Sequence, residues 1–174
     1  MSRLVRDAIP AEDAEACRAI YTPYVRDTVV SFEAEPPTEE TMVARITAAQ
    51  RAHAWLVLEE DGRVIGYAYG VPFAARTAYQ WACEVSVYLE PARRRTGGGR
   101  ALYDELLERL AARGFHMAVA GMTLPNEASV GLHRAMGFEP VGTWKRIGFK
   151  HGAWHDVAWT QRQLADGLPA GAPR

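Results

Sequence analysis

A chain of 174 residues with 20 Lys plus Arg against 21 Asp plus Glu carries a net charge of −1, and 48% of it is hydrophobic. That length suits one domain, at roughly 100–200 residues per domain, and buries about 70% of the unfolded surface without metal or disulfide staples. Near neutrality withholds the basic field behind nonspecific nucleic-acid affinity, which disfavours nucleic acid as a partner. No apolar run approaches the ~18 residues of a membrane span or survives the N-terminal charges, so the expectation is a cytoplasmic protein.

Leu4 to Ile9 reads as an opening strand, and Pro10 starts a helix in which Ala16, Ile20 and Tyr24 recur at a spacing that keeps them on one face. Cys17 and Cys83 match no zinc or redox spacing and read as buried free thiols. Residues 28 to 37 form a loop, because Pro36 and Pro37 break any helix there. Thr38 then offers an N-cap for a second helix ending near Arg51. Trp55 to Glu59, Asp61-Gly62 and Val64 to Tyr69 form a hairpin, since Asp-Gly supplies the positive φ values of a tight turn. After a loop containing Arg76, Tyr79 to Leu89 reads as a third strand, closed by Pro91.

Arg94 to Gly99 is a glycine-rich turn into a helix whose Leu102, Leu106, Leu107 and Leu110 keep helical spacing up to Gly114. Met117 to Met122 is a short strand. Asn126 caps a helix through Val130 and Met136, Gly137 ends it, and Val141 to Phe149 and Trp154 to Gln163 are the closing strands. His53 and His116 begin strands and carry no partner signal. The expected fold is α+β, a mixed, largely antiparallel sheet with helices on both faces. Residues 1–165 make a single domain, and residues 166–174 a Pro/Gly/Ala-rich tail expected to fray.

The turn Arg94-Arg95-Thr96-Gly97-Gly98-Gly99-Arg100 aims backbone N–H groups and a positive helix end at one point, a geometry that binds phosphate; the alternative is a flexible connection. Known phosphate loops discriminate further. A Walker loop needs Lys and Ser or Thr after its last glycine, whereas Arg100-Ala101 follows Gly99; a dinucleotide fingerprint needs Gly or Ala where Leu102 stands.

What remains, Arg94-x-x-Gly97-x-Gly99, resembles the pyrophosphate loop of the GNAT family of N-acetyltransferases. Asn126-x-x-Ser129-x-x-Leu132-His133 up to Gly137-Phe138 is similar to that family's second acetyl-CoA segment, with His133 where many members carry tyrosine. Ser31 to Pro36, Arg76 to Trp81, Glu84 to Tyr88, Leu124 to Asn126 and Gly148 to Val157 resemble the phosphinothricin and methionine sulfoximine acetyltransferase branch. The resemblance implies a GNAT fold, acetyl-CoA as cosubstrate, a small amino-acid-like amine as substrate and a homodimer. It implies that acetyl-CoA meets Val87, Tyr88, Leu89, Arg94, Arg95, Thr96, Gly97, Gly98, Gly99, Arg100, Asn126 and Ser129.

Acetyl transfer to an amine needs a proton acceptor for the ammonium and a donor for the leaving thiolate. Glu84, in an otherwise apolar strand, is the candidate base. His133, seven residues after Asn126 and so on nearly the same helix face, is the candidate acid, with Tyr88, on the strand face of Glu84, in reserve. Carboxylate recognition calls for a forked cation, for which Arg76 stands first, with Tyr79 and Phe32 shaping the pocket. His151 and His155 have a helical metal spacing, but Gly152 argues turn and strand, so no metal is expected. Trp144 to Trp154 is expected to reach a partner copy. Two other functions stay open: a noncatalytic acetyl-CoA sensor, and a protein N-acetyltransferase.

Overall fold

The computed structural model describes residues 2–93 and 95–174. Among these, β1 (Arg3–Asp7), β2 (Trp55–Glu60), β3 (Arg63–Pro72), β4 (Ala82–Leu89), β5 (Met117–Thr123), β6 (Glu139–Lys150) and β7 (Ala153–Gln163) form one sheet, ordered β1-β2-β3-β4-β5-β7-β6. Each neighbouring pair is antiparallel except β4–β5. The helices are α1 (Pro10–Arg26), α2 (Glu39–Ala52), α3 (Gly98–Ala112) and α4 (Glu127–Ala135).

Both faces of the sheet centre are covered, which is why β2 is a continuous apolar run rather than an alternating one. Trp55 and Val57 face α1 and α2 with Tyr21, Met42 and Ile46, whereas Leu56 and Leu58 face α3 with Leu102, Leu106 and Leu110. Each buried leucine on α3 contributes about 1.5–3 kcal/mol, and truncating Leu106 to alanine would cost about 2–5 kcal/mol. The hairpin turns at Asp61 (φ 50) and Gly62 (φ 81), the positive pair that Asp-Gly promised. The Thr38 hydroxyl accepts from Thr41 N–H at 3.2 Å and starts α2 as expected. Cys17 and Cys83 are buried free thiols, and burial pushes each up to about 12.

Three local expectations need correction. The first strand stops at Asp7, because Ile9 becomes the N-cap of α1: its N–H donates to Asp13 at 2.7 Å and its carbonyl accepts from Glu12 and Asp13. Tyr79 opens no strand. Thr77–Tyr79 is a 3-10 turn held by Tyr79 N–H on the Arg76 carbonyl (2.9 Å), and β4 starts only at Ala82. His53 is the C-cap of α2 rather than a strand start, and its ring stacks on Phe115 at 4.6 Å. In the tail, Trp81 Nε1 donates to the Gly171 carbonyl (2.8 Å) and Arg174 N–H to the Arg113 carbonyl (2.9 Å).

Candidate active site at the splayed strands

The parallel ladder between β4 and β5 holds only at Ala82↔Met117, Cys83↔Ala118 and Glu84↔Val119. Beyond Glu84 the strands part because each keeps its other neighbour. β4 stays on β3 down to Leu89↔Gly66, and β5 stays on β7 down to Thr123↔Val157. The gap is a cavity of about 50 Å³ between Ser86, Val87 and Tyr88 on one wall and Gly121 to Thr123 on the other, closed by Ser129 and His133 of α4 and its N-cap Asn126. It shares Val87, Tyr88, Asn126 and Ser129 with a groove of about 590 Å³ that runs out between Leu89, Leu132 and the glycine turn.

The turn enters α3 with Arg95 (φ 62) and Gly97 (φ 83) in the left-handed region, a backbone path that clusters N–H groups. Gly97 caps α3 with no side-chain hydrogen bond. The other three helices carry acids in their first turn, which offset the positive helix end; α3 carries none and has Arg100 instead. Its first N–H groups and dipole are left for an external anion. The glycines themselves serve two purposes. Gly97 supplies the positive φ, whereas a Cβ at Gly98 would stand 2.8 Å from Leu58 and one at Gly99 3.0 Å from Leu132. Those two let α3 settle against its neighbours.

Glu84 sits on the last rung of the β4–β5 ladder, half-buried, beside Val71 and Val119. No described residue pairs with its carboxyl, and burial raises its pKa above the usual carboxylate value. Four residues on, Tyr88 lies on the same strand face, its ring edge-on to Tyr21 (4.9 Å) and Tyr24 (5.1 Å), and burial holds its phenol protonated.

His133 is buried, with both ring nitrogens engaged. Nδ1–H donates to the Ser129 carbonyl at 2.8 Å, so Nε2 accepts from the Tyr103 hydroxyl at 3.0 Å. Burial lowers the His133 pKa against the opposing Ser129 hydrogen bond, and the imidazole is neutral at pH 7. Tyr103, from α3, was missed by sequence reasoning. Its one signal is a phenol set among buried leucines, which needs a polar partner.

Arg76 is exposed, and its guanidinium has no partner among the described residues. Tyr79 lies edge-on to Phe73 at 5.6 Å and Phe73 edge-on to Trp159 at 6.5 Å. The Trp159 indole in turn packs on Gly121, where a Cβ would stand 3.1 Å from it. Phe32 belongs to a different contact set. It covers Gly148 of β6 so closely that a Cβ there would overlap its ring, and it faces His155 at 6.3 Å. His155 Nε2 donates to the Lys150 carbonyl at 3.0 Å.

Residues 7–159 match the model of the acetyltransferase (GNAT) domain. The chain belongs to the GNAT family. It is 40% identical over 166 residues to phosphinothricin N-acetyltransferase of Streptomyces viridochromogenes, covering 95% of this chain and 89% of that one. To the L-methionine sulfoximine/L-methionine sulfone acetyltransferase of Pseudomonas paraeruginosa it is 34% identical over 166 residues, covering 94% and 96%. The crystal structure of a GNAT superfamily phosphinothricin acetyltransferase from Sinorhizobium meliloti, in complex with acetyl-CoA, matches with a TM-score of 0.91 and 40% identity over 100% of this chain and 94% of that one.

In this GNAT chain, Val87, Tyr88, Leu89, Arg95, Gly97, Gly99, Arg100, Asn126 and Ser129 all line the one groove. Thr96 and Gly98 support it from behind: the Thr96 hydroxyl donates to the Arg93 carbonyl at 2.8 Å, and Gly98 is buried against Leu58. Arg94 lies outside the described residues. His133 and Asn126 border the same cavity, as their spacing predicted, and His133 meets the Tyr103 hydroxyl there through Nε2.

Proposed function

We propose that this GNAT chain is an acetyl-CoA-dependent N-acetyltransferase acting on the α-amino group of a small amino acid or analogue, of the class of phosphinothricin, methionine sulfoximine or methionine sulfone. The observation that carries the reading is the splayed β4–β5 gap, with an uncompensated helix end at its outer mouth and an unpaired carboxyl at its inner end. Acetyl-CoA supplies an activated thioester there. Residues 95 to 100 and Asn126 hold it, and the groove orients it along Val87 and Tyr88.

Glu84 takes the ammonium proton, directly or through water. Its raised pKa brings it nearer to neutrality, where a base is most useful, and its lack of a counter-ion leaves the carboxylate free to accept. Tyr88, on the wall of that cavity, protonates the leaving sulfur, and the Tyr103–His133 pair fixes the wall behind it. Arg76, with Tyr79 and Phe32, recognises the substrate carboxylate and side chain. The catalytic unit spans residues 1–165 and works in the cytoplasm, with no metal, nucleic-acid or membrane partner.

The protein works as a homodimer. β6 is a sheet edge, and its Val141, Trp144, Ile147 and Phe149, with Trp154 of β7, are each more than half exposed, an apolar surface suited to a second copy. Light scattering at micromolar concentration should give the dimer mass; a monomer mass overturns this part. The activity is tested by CoA thiol release over a panel of methionine sulfoximine, methionine sulfone, phosphinothricin, ordinary amino acids and an N-terminal peptide. Turnover with the free amino acids supports the reading. Binding without thiol release would make the chain a sensor, and turnover with the peptide alone a protein acetyltransferase.

A further inference from the structure

Behind the glycine turn, outside the groove, one buried carboxylate holds the turn from both sides. Glu60 ends β2 with its side chain 3% exposed, and two guanidiniums share it: Arg3 Nε meets Oε1 at 2.8 Å and Arg93 Nη1 meets Oε2 at 2.8 Å. Arg93 ends the 3-10 turn that leads into the glycine segment. Arg3 reaches beyond Glu60, and its Nη1 donates to the Thr96 carbonyl at 2.7 Å, one residue before the left-handed Gly97. The Thr96 hydroxyl closes the circuit on the Arg93 carbonyl at 2.8 Å.

We infer that Glu60 is a positioning residue for pyrophosphate recognition: through Arg93 and Arg3 it sets the path of residues 95 to 97 that aims the first N–H groups of α3 into the groove. The inference rests on the proposed reading of that turn as the acetyl-CoA pyrophosphate site. A segment with three consecutive glycines loses much conformational entropy when an anion orders it, and a turn already ordered from behind binds without that loss. The geometry suits this task. Glu60 touches neither end of the groove, and the carboxylate neutralises one of the two arginines, so the fixed frame still carries a net positive charge next to the anion. The edge strand β1 thereby gains a role beyond its pairing with β2: it delivers Arg3.

The test compares two acetyl donors, acetyl-CoA and S-acetylpantetheine, which lacks the pyrophosphate, in wild type, Glu60→Gln and Arg3→Met, with methionine sulfone as the amine. The Arg3 variant keeps the Glu60–Arg93 pair and removes the Arg3 links to Glu60 and to Thr96, so it serves if the Glu60 variant does not fold. The expected result is a KM for acetyl-CoA raised about tenfold in either variant, the equivalent of about 1.4 kcal/mol of lost preorganisation. The kcat, the KM for the amine and the kinetics with S-acetylpantetheine should stay at wild-type values. An unchanged or lowered KM for acetyl-CoA in a folded variant overturns the inference, as does an equal loss with both donors, which would mark a general structural defect. Equal KM values for the two donors in the wild type would instead remove the pyrophosphate reading, and this inference with it.

Discussion

Replacing Glu84 with glutamine should separate chemistry from stability. The amide keeps the side chain's volume and breaks no ion pair, because no described residue pairs with this carboxyl. The sign of the stability effect follows from the raised pKa. A carboxyl that folding makes harder to ionise costs stability once it is charged, and the cost disappears as pH falls through its folded value. Glutamine never carries that charge, so Glu84→Gln should melt no lower than wild type at pH 7. Activity should behave oppositely, with kcat/KM falling about 10²–10⁴-fold near neutrality, the range for losing a positioned base. An α-amine with a pKa of roughly 8 is about one tenth neutral at pH 7 and mostly neutral at pH 9, so raising the pH should return about tenfold to the variant. Thiol-release kinetics from pH 6 to 9, with melting curves on the same samples, measure both effects. A mutant-to-wild-type ratio that is flat with pH, or a melting point that falls in step with activity, would refute the role of Glu84 as base.

Tyr103→Phe strips the hydroxyl from His133 Nε2 and leaves a buried nitrogen unpaired, which should cost about 1–3 kcal/mol in denaturant unfolding; kcat should drop while the affinity for CoA by calorimetry holds. Arg76→Ala should cost about 2–5 kcal/mol in kcat/KM with methionine sulfoximine and much less with its carboxamide, which lacks the anion; equal losses would assign Arg76 to another task. Burial and the nearby Arg113 charge lower His53 to about 4 from 6.5, so the unfolded chain takes up the proton first and stability is lost as pH falls from 6.5 toward 4. His133 shifts in the same direction, and melting curves across that window should show a shallower decline in His53→Gln than in wild type.

The features legible in the sequence are those decided within a few residues. Asp61-Gly62 forces a tight hairpin, Thr38 and Asn126 cap helices, and the leucines of α3 form a stripe at helical spacing; each works through local dihedrals or one turn of hydrogen bonds. The glycine turn was legible for the same reason, and Glu84 because a lone acid in an apolar strand is conspicuous by composition. The strand boundary at Tyr79 was not legible: the turn bond from Tyr79 to Arg76 displaced β propensity there. Nor could sequence place the parting of β4 from β5, since each strand's outer partner, β3 or β7, decides where the ladder between them ends. The Tyr103–His133 bond spans 30 residues and the Arg3–Glu60 pair 57. Their distances depend on how helices seat on the sheet, and the low dielectric that makes His133 neutral and Glu84 harder to ionise exists only once the surrounding layers have closed over them. The sequence determined the fold class and offered Glu84, His133 and Tyr88 as candidates for chemistry; the tertiary structure added Tyr103 and decided how readily each group ionises, because solvation belongs to the assembled fold and to no single residue.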